Sequence, residues 1–176
     1  SIASVSQIEM VTKTQNEELG CKIEISGGNM IEESECACAG GTSITVKNIF
    51  FNVPARRKFL KKPATESGYI SDTVNKLALA HPEISFKYIN NGNVMLHTSG
   101  NNDLKTAVFH VYGKEMSQKM IDVSCEENGF RLFGLIGKPE LSRGNRNYEN
   151  LFINGRFIKN DVVSQAVEEA YKTRLM

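Results

Sequence analysis

Tryptophan is absent from this chain, proline occurs only four times, and aromatic residues make up just 8% of it. No apolar run approaches the ~20 residues that a membrane-spanning helix needs. Nor does the chain open with the charged, then apolar, then small-residue succession of a secretory signal. A cytoplasmic protein without membrane contact is the expectation. Excess charge is missing too: 21 Lys and Arg oppose 20 Asp and Glu, a net charge of +1. That balance argues against a dedicated, strongly basic nucleic-acid module. The four cysteines (Cys21, Cys36, Cys38, Cys125) and three histidines (His81, His97, His110) lack zinc-ligand spacing, since only Cys36 and Cys38 form a close pair. No metal ligand is therefore assigned. There is no G-x-S-x-G, Walker A or H-E-x-x-H motif. No catalytic residue is assigned either, and a binding or coupling segment is a better reading than a complete enzyme.

What is present is a globular composition, 176 residues with 40% hydrophobic. Roughly 70% of the unfolded surface should be buried at this length. Ser1 to Ser6 reads as the last turn of a helix. QIEMVTKT follows as a half-buried strand, with Ile8 and Met10 on one face. CKIEISGG ends in a Gly27-Gly28-Asn29 turn, a third strand covers Met30 to Ala37, and TSITVKNIFF is a fourth. Successive strands with tight turns predict an antiparallel sheet.

Asn52 is then a helix-cap candidate for a short helix from Pro54 to Leu60, with Phe59 and Leu60 inward. Ile70, Val74, Leu77 and Ala78 mark an amphipathic helix from Glu66 to Ala80. Asn90-Asn91-Gly92 and Asn154-Gly155 are hairpin turns. Ser99 to Asp103 is short and polar, the best candidate for a domain boundary. Beyond it lie a helix inward at Leu104, Ala107, Val108 and Val111, two strands (119–124 and 130–138), an Arg- and Asn-rich loop, and a last helix inward at Val163, Ala166, Val167 and Ala170. The fold class is α+β.

Three groups of residues invite functional readings. Gly40-Gly41-Thr42 is either a plain turn or a place where glycine N–H groups and a hydroxyl meet phosphate. Arg56, Arg57, Lys58, Lys61 and Lys62 are either the wet face of a short helix or a phosphate-binding patch. Arg156 sits one residue past a hairpin tip, with Arg143 and Arg146 in the preceding loop. An arginine ridge for a DNA backbone competes there with ordinary exposed arginine.

IFFNVPARRKFL (Ile49 to Leu60) resembles the L-F-x-N-x-P-A-R-R-K-F-L pattern of the DNA mismatch repair protein family MutL. The opening SIASVS resembles the tail of that family's G-F-R-G-E-A-L-x-S-I motif. GGTSITVKNIF is similar to its fourth ATP-site motif, and LFINGRFIKND to its F-V-N-G-R hairpin, with Ile153 in place of Val. The matches run in order over nearly the whole chain. The resemblance implies that residues 1–98 are the C-terminal portion of a GHKL-type ATPase domain. Residues 99–176 would be a ribosomal-protein-like, ββαβ-type transducer domain.

It further implies an ATP-gated clamp that binds ATP and Mg2+, dimerises as a MutL homodimer, and engages double-stranded or mismatched DNA. Such a clamp couples mismatch recognition by MutS to strand nicking or unwinding. Gly41 and Thr42 would belong to the ATP site and Arg156 to the DNA groove, with Arg143 and Arg146 added by proximity. The PARRKF segment would be structural. A free-standing nucleic-acid-binding module of ribosomal-protein-like fold is the alternative.

The family's magnesium- and adenine-binding motifs are expected before Ser1, and its phosphate-reaching lysine motif after Met176. The purified 176-residue piece is accordingly expected neither to bind nucleotide tightly nor to hydrolyse it. Magnesium-dependent phosphate release above a protein-free control would refute this.

Overall fold

A computed structural model describes residues 1–172, which form two compact units, Ser1–Lys62 and a second beginning at Pro63. In the first unit, strands β1 (Gln7–Lys13), β2 (Gly20–Ser26), β3 (Asn29–Cys36) and β4 (Gly41–Lys47) make one antiparallel sheet in the order β3-β2-β1-β4. Side chains alternate across a pleated strand, so register decides which residues share a face. Ile8 is opposite Ile25 and Val46, and Met10 is opposite Ile23 and Ile44. These six residues form an apolar face, which is uncovered: Ile44 is 59% exposed and Val46 45%. The other face is mainly polar, with Lys22 Nζ 2.6 Å from Glu24 and 3.9 Å from Glu9. Glu32, Glu33 and Glu35 lie on the outer strand β3, where charge discourages pairing with further strands.

The opening residues, predicted as the last turn of a helix, form a 3₁₀ turn at Ala3–Val5. Four successive carbonyls there are used by other segments. Ala3 and Ser6 accept from the Gly28 and Gly27 N–H groups of the β2–β3 turn, at 2.9 and 3.0 Å. Val5 accepts from Phe50 N–H at 2.6 Å, and Ser4 from the Asn52 amide at 3.0 Å. The fourth strand stops at Lys47, shorter than the expected TSITVKNIFF run. Asn48 and Phe50 take positive φ (52° and 61°) to turn the chain back to these acceptors. Asn52 is therefore not a helix cap. Val53 occupies that position, without a side-chain bond, and α1 covers only Pro54–Arg57. Phe59 (80% exposed) and Leu60 (42%) point outward, contrary to the expected inward packing.

In the second unit, α2 (Pro63–Ala80) buries Ala78 and Leu79, with Val74 half-buried. Ile70 and Leu77, expected inward, are 52% and 46% exposed. The hairpin β5 (Lys87–Asn90) and β6 (Asn93–His97) turns through Asn91 and Gly92 at φ 49° and 79°, as its sequence predicts. Helix α3 (Leu104–Tyr112) buries Ala107 and Val108 against Leu79. Leu104, Val111 and Tyr112 pack around them, as do Met120, Leu135 and Phe152 from the strands below.

A short α4 (Lys114–Gln118) leads into β7 (Met120–Glu127) and β8 (Phe130–Gly137). The hairpin β9 (Leu151–Ile153) and β10 (Arg156–Ile158) precedes α5 (Asp161–Tyr171). The inward side of α5 is Ser164, Val167 and Tyr171. Val163 is 39% exposed and Ala166 and Ala170 are exposed, so the helix is rotated from the expected face. The Tyr171 hydroxyl, which donates to the Gly137 carbonyl at 2.5 Å, fixes that rotation.

Burial is smaller than chain length alone suggests. Among the described residues the fully buried apolar ones are Ala78, Leu79, Leu96, Ala107 and Val108. The 99–103 stretch lies inside the second unit and is tied down. Asn102 N–H donates to the Pro82 carbonyl at 3.0 Å, and Asp103 caps α3 by accepting from the Lys105 and Thr106 N–H groups. Compactness thus divides the chain after Lys62, a different cut from the domain boundary expected at residue 99.

Hydrogen bonds, first from the Thr106 hydroxyl and then from backbone N–H groups, hold the Asp103 carboxyl below its usual range. Its contribution is complete above the unfolded-state value near 4 and disappears as pH falls through the lower folded value. Asp103→Ala should cost about 1 kcal/mol, and Asp103→Asn should keep most of it at neutral pH. Thermal melts at pH 7 and pH 3 test this: the Ala deficit should shrink in acid.

Candidate functional site

Gly41 begins β4 at φ +120°, a conformation that favours glycine. A Cβ built there would have no neighbour within 4 Å, so its backbone is open to approach. Thr42 follows, exposed, and register sets it opposite Thr12 on the central strand β1. The two hydroxyl oxygens are 2.8 Å apart. The row continues across the sheet through Cys21 to Glu35, giving the apolar face a polar margin, Thr42–Thr12–Cys21–Glu35.

An open depression adjoins this margin, lined by Thr12, Lys13, Thr14, Glu17, Leu19, Gly20, Cys21 and Glu35. Glu17 is held below the usual carboxylate range by hydrogen bonds from the Thr14 hydroxyl and N–H. Gly41 and Thr42 stand out in the sequence; Thr12 and Lys13, which the pairing of β1 with β4 brings opposite them, carry no local signal.

Gly20 is buried where β2 leaves the turn. A Cβ there would collide with Cys38 Sγ and stand 2.7 Å from the Thr12 carbonyl oxygen. Cys21, Cys36 and Cys38 are half-buried free thiols. Burial, then a hydrogen bond that the Cys36 thiol donates toward Cys38, pushes the Cys36 thiol above its ordinary value. Thiolate, the reactive form, is correspondingly scarce. Among the described residues no group of three or more His, Cys, Asp or Glu gathers to hold a metal. These residues therefore offer no clustered set of ligands for magnesium.

In the second unit the three predicted arginines have different surroundings. Asn154 and Gly155, at φ 50° and 74°, form the turn that places Arg156 at the start of β10, opposite Ile153. Phe152 and Phe157 occupy the other side of this hairpin. Their rings meet edge-on at 5.9 Å, Phe152 joins the core, and Lys76 Nζ lies 4.3 Å from the Phe157 ring. Burying that side turns Arg156 and Ile153 (57% exposed) outward.

Arg143 is also exposed and lies over the Tyr148 ring at 5.8 Å. That ring in turn tilts against Tyr112, whose hydroxyl accepts from the Asn150 amide at 2.7 Å. Arg146 is otherwise engaged. Its Nε and Nη2 donate to the two Glu168 carboxylate oxygens at 2.7 and 2.9 Å, and its Nη1 to Asp161 at 3.0 Å. The Glu168 carboxyl is lowered by that hydrogen bonding. Arg146 thereby ties the 139–150 loop to α5. In the first unit Arg56, Arg57, Lys58, Lys61 and Lys62 are all exposed.

Residues 108–176 match the sequence model of a family described as DNA mismatch repair protein, C-terminal domain. The whole chain is 51% identical over 176 residues to the DNA mismatch repair protein MutL of Agathobacter rectalis, covering 27% of that protein. It is 44% identical over 173 residues to MutL of Thermoanaerobacter pseudethanolicus, covering 98% of this chain and 28% of that one. Among solved structures, the Aquifex aeolicus MutL ATPase domain complexed with ADP superposes with a TM-score of 0.81 at 28% identity. That match covers 96% of this chain and 65% of the other. The chain belongs to the MutL family of DNA mismatch repair proteins, with the α+β fold of the GHKL-type MutL ATPase region. It spans between a quarter and a third of the length of these curated relatives. No helix among the described residues is long and apolar enough to cross a membrane.

The contact around Gly20 predicts that Gly20→Ala destabilises the first unit by about 1–3 kcal/mol, as overpacking does. Gly41→Ala would instead be strained by its φ alone, with no steric clash. Chemical denaturation of both variants, followed by exposure of the Cys38 thiol to a colorimetric reagent, distinguishes the two costs.

Proposed function

We propose that this chain is part of an ATP-gated, DNA-binding clamp of mismatch repair, operating in the cytoplasm. Residues 1–98 supply the end of the ATPase domain and residues 99–176 a transducer domain. The parent protein is a slow ATPase that uses magnesium held by residues other than those described. It pairs with a second copy of itself and couples recognition of mismatched DNA by MutS to strand nicking or unwinding. The observation that carries this reading is the whole-chain similarity to MutL proteins, including the ADP-complexed ATPase domain. That similarity favours it over a free-standing nucleic-acid module.

Gly41 and Thr42 meet the nucleotide in this reading. An open glycine backbone lets an anion or ring edge approach, and the neighbouring hydroxyl adds a directed hydrogen bond. Arg156, held outward because Phe152 and Phe157 take the packed side of its hairpin, contacts the DNA backbone, and Arg143 contributes from its tyrosine platform. Arg146 positions the loop through Glu168 and Asp161 and does not itself face DNA.

Arg156→Glu in the full-length protein should weaken duplex DNA binding and reduce the salt slope by about one unit. Arg146→Ala should change stability little, because exposed ion pairs contribute little, with the slope retained. Filter-binding titrations across a salt series read both effects. An unchanged slope in Arg156→Glu, with loss of binding in Arg57→Glu, would transfer the contact to the first basic cluster.

A further inference from the structure

Thr12 carries no motif, yet its hydroxyl lies 2.8 Å from that of Thr42, across the β1–β4 pair to which Gly41 belongs. A threonine hydroxyl has one proton and two lone pairs, and it rotates freely unless a neighbour holds it. We propose that Thr12 is a positioning residue of the nucleotide site: it donates its proton to Thr42 and so leaves the Thr42 O–H aimed at the ligand. This rests on the reading of Thr42 as a nucleotide contact.

The electron pair of Thr42 that accepts from Thr12 is then unavailable to water, and the Thr42 proton is confined to the two staggered positions that point away from Thr12. Chained hydroxyls also polarise one another, so the outward bond is stronger than that of an isolated threonine. The backbone keeps this geometry in place. Thr12 is on the central strand, paired to β2 through Cys21 on one side and to β4 through Thr42 on the other. Gly20, without a side chain, lets the β1–β2 end close up against the Thr12 carbonyl. Thr12 also lines the depression beside the margin, at the end of the sheet where Gly41 opens the backbone.

A cross-strand Thr–Thr pair also stabilises a sheet without serving any ligand, so the test separates the two roles. ATP affinity is measured in the full-length protein for Thr12→Val, Thr12→Ser, Thr42→Val and the Thr12→Val/Thr42→Val double variant, with melting temperatures recorded without nucleotide. Valine keeps the shape and the strand preference of threonine. Thr12→Val and Thr42→Val should each weaken ATP binding roughly two- to tenfold, the range of one hydrogen bond. The double variant should be no weaker than Thr42→Val, and Thr12→Ser should bind like the native protein.

Native affinity in Thr12→Val beside a weakened Thr42→Val overturns the positioning role alone. So do losses that multiply in the double variant, or a Thr12→Ser as weak as Thr12→Val. Native affinity in Thr42→Val removes the nucleotide reading of Thr42 and the positioning role together.

Discussion

Four consecutive carbonyls, from Ala3 to Ser6, hold the first unit together more than any side-chain cluster does. Each accepts a hydrogen bond from a different donor: Gly28, Asn52, Phe50 and Gly27 in chain order of the acceptors. An unpaired buried backbone group costs as much as a lost hydrogen bond, and Ser6 is buried, so this turn and the β2–β3 turn depend on each other, with the segment after β4 tied to the same residues. Ser6, with no exposed surface, closes the arrangement by donating its hydroxyl to Ile2. β1 grows directly out of this knot, and its register on β2 and β4 follows. That register is what puts Thr12 beside Thr42.

The second unit is organised differently, by apolar packing. Leu79, Ala107 and Val108 form a small core, and Phe152 carries the β9–β10 hairpin onto it. Two consequences for the arginines follow from which side of each element is buried. A hairpin with Phe152 and Phe157 on one side must present Arg156 on the other, because side chains alternate along a strand. A helix rotated so that Ser164 and Tyr171 face inward presents Glu168 to the preceding loop, where Arg146 takes it up as a bidentate pair. Neighbours in sequence thus acquire opposite duties.

Local elements were largely legible from sequence. The alternation in QIEMVTKT, the Asn-Gly turns and the Leu104-Ala107-Val108-Val111 face all appear where expected. Errors fell where a distant partner overrides local preference. Asn52 has the chemistry of a helix cap, but the Ser4 carbonyl claims its amide. The helix expected from Glu66 starts three residues earlier, at Pro63. Of the expected stripe, Ala78 is buried and Val74 half-buried, yet Ile70 and Leu77 turn outward and Leu79 is the residue of α2 that meets the core.

The candidate site divides in the same way. Gly41, Thr42 and Arg156 are recognisable in one dimension, since motif spacing, a glycine backbone and an Asn-Gly turn are local properties. Family membership was legible for the same reason, because the matching motifs follow one another along the chain. The company those residues keep is not local. Thr12 is 30 positions from Thr42 and Glu168 is 22 from Arg146. The order β3-β2-β1-β4 sends the chain past two other strands before β4 returns to β1. Sequence alone determined which residue types and turns were available; only the tertiary structure decided which hydroxyl meets which, and which arginine is taken up by carboxylates. The reason is physical: register and helix rotation are set by hydrogen bonds and packing between segments that are remote along the chain.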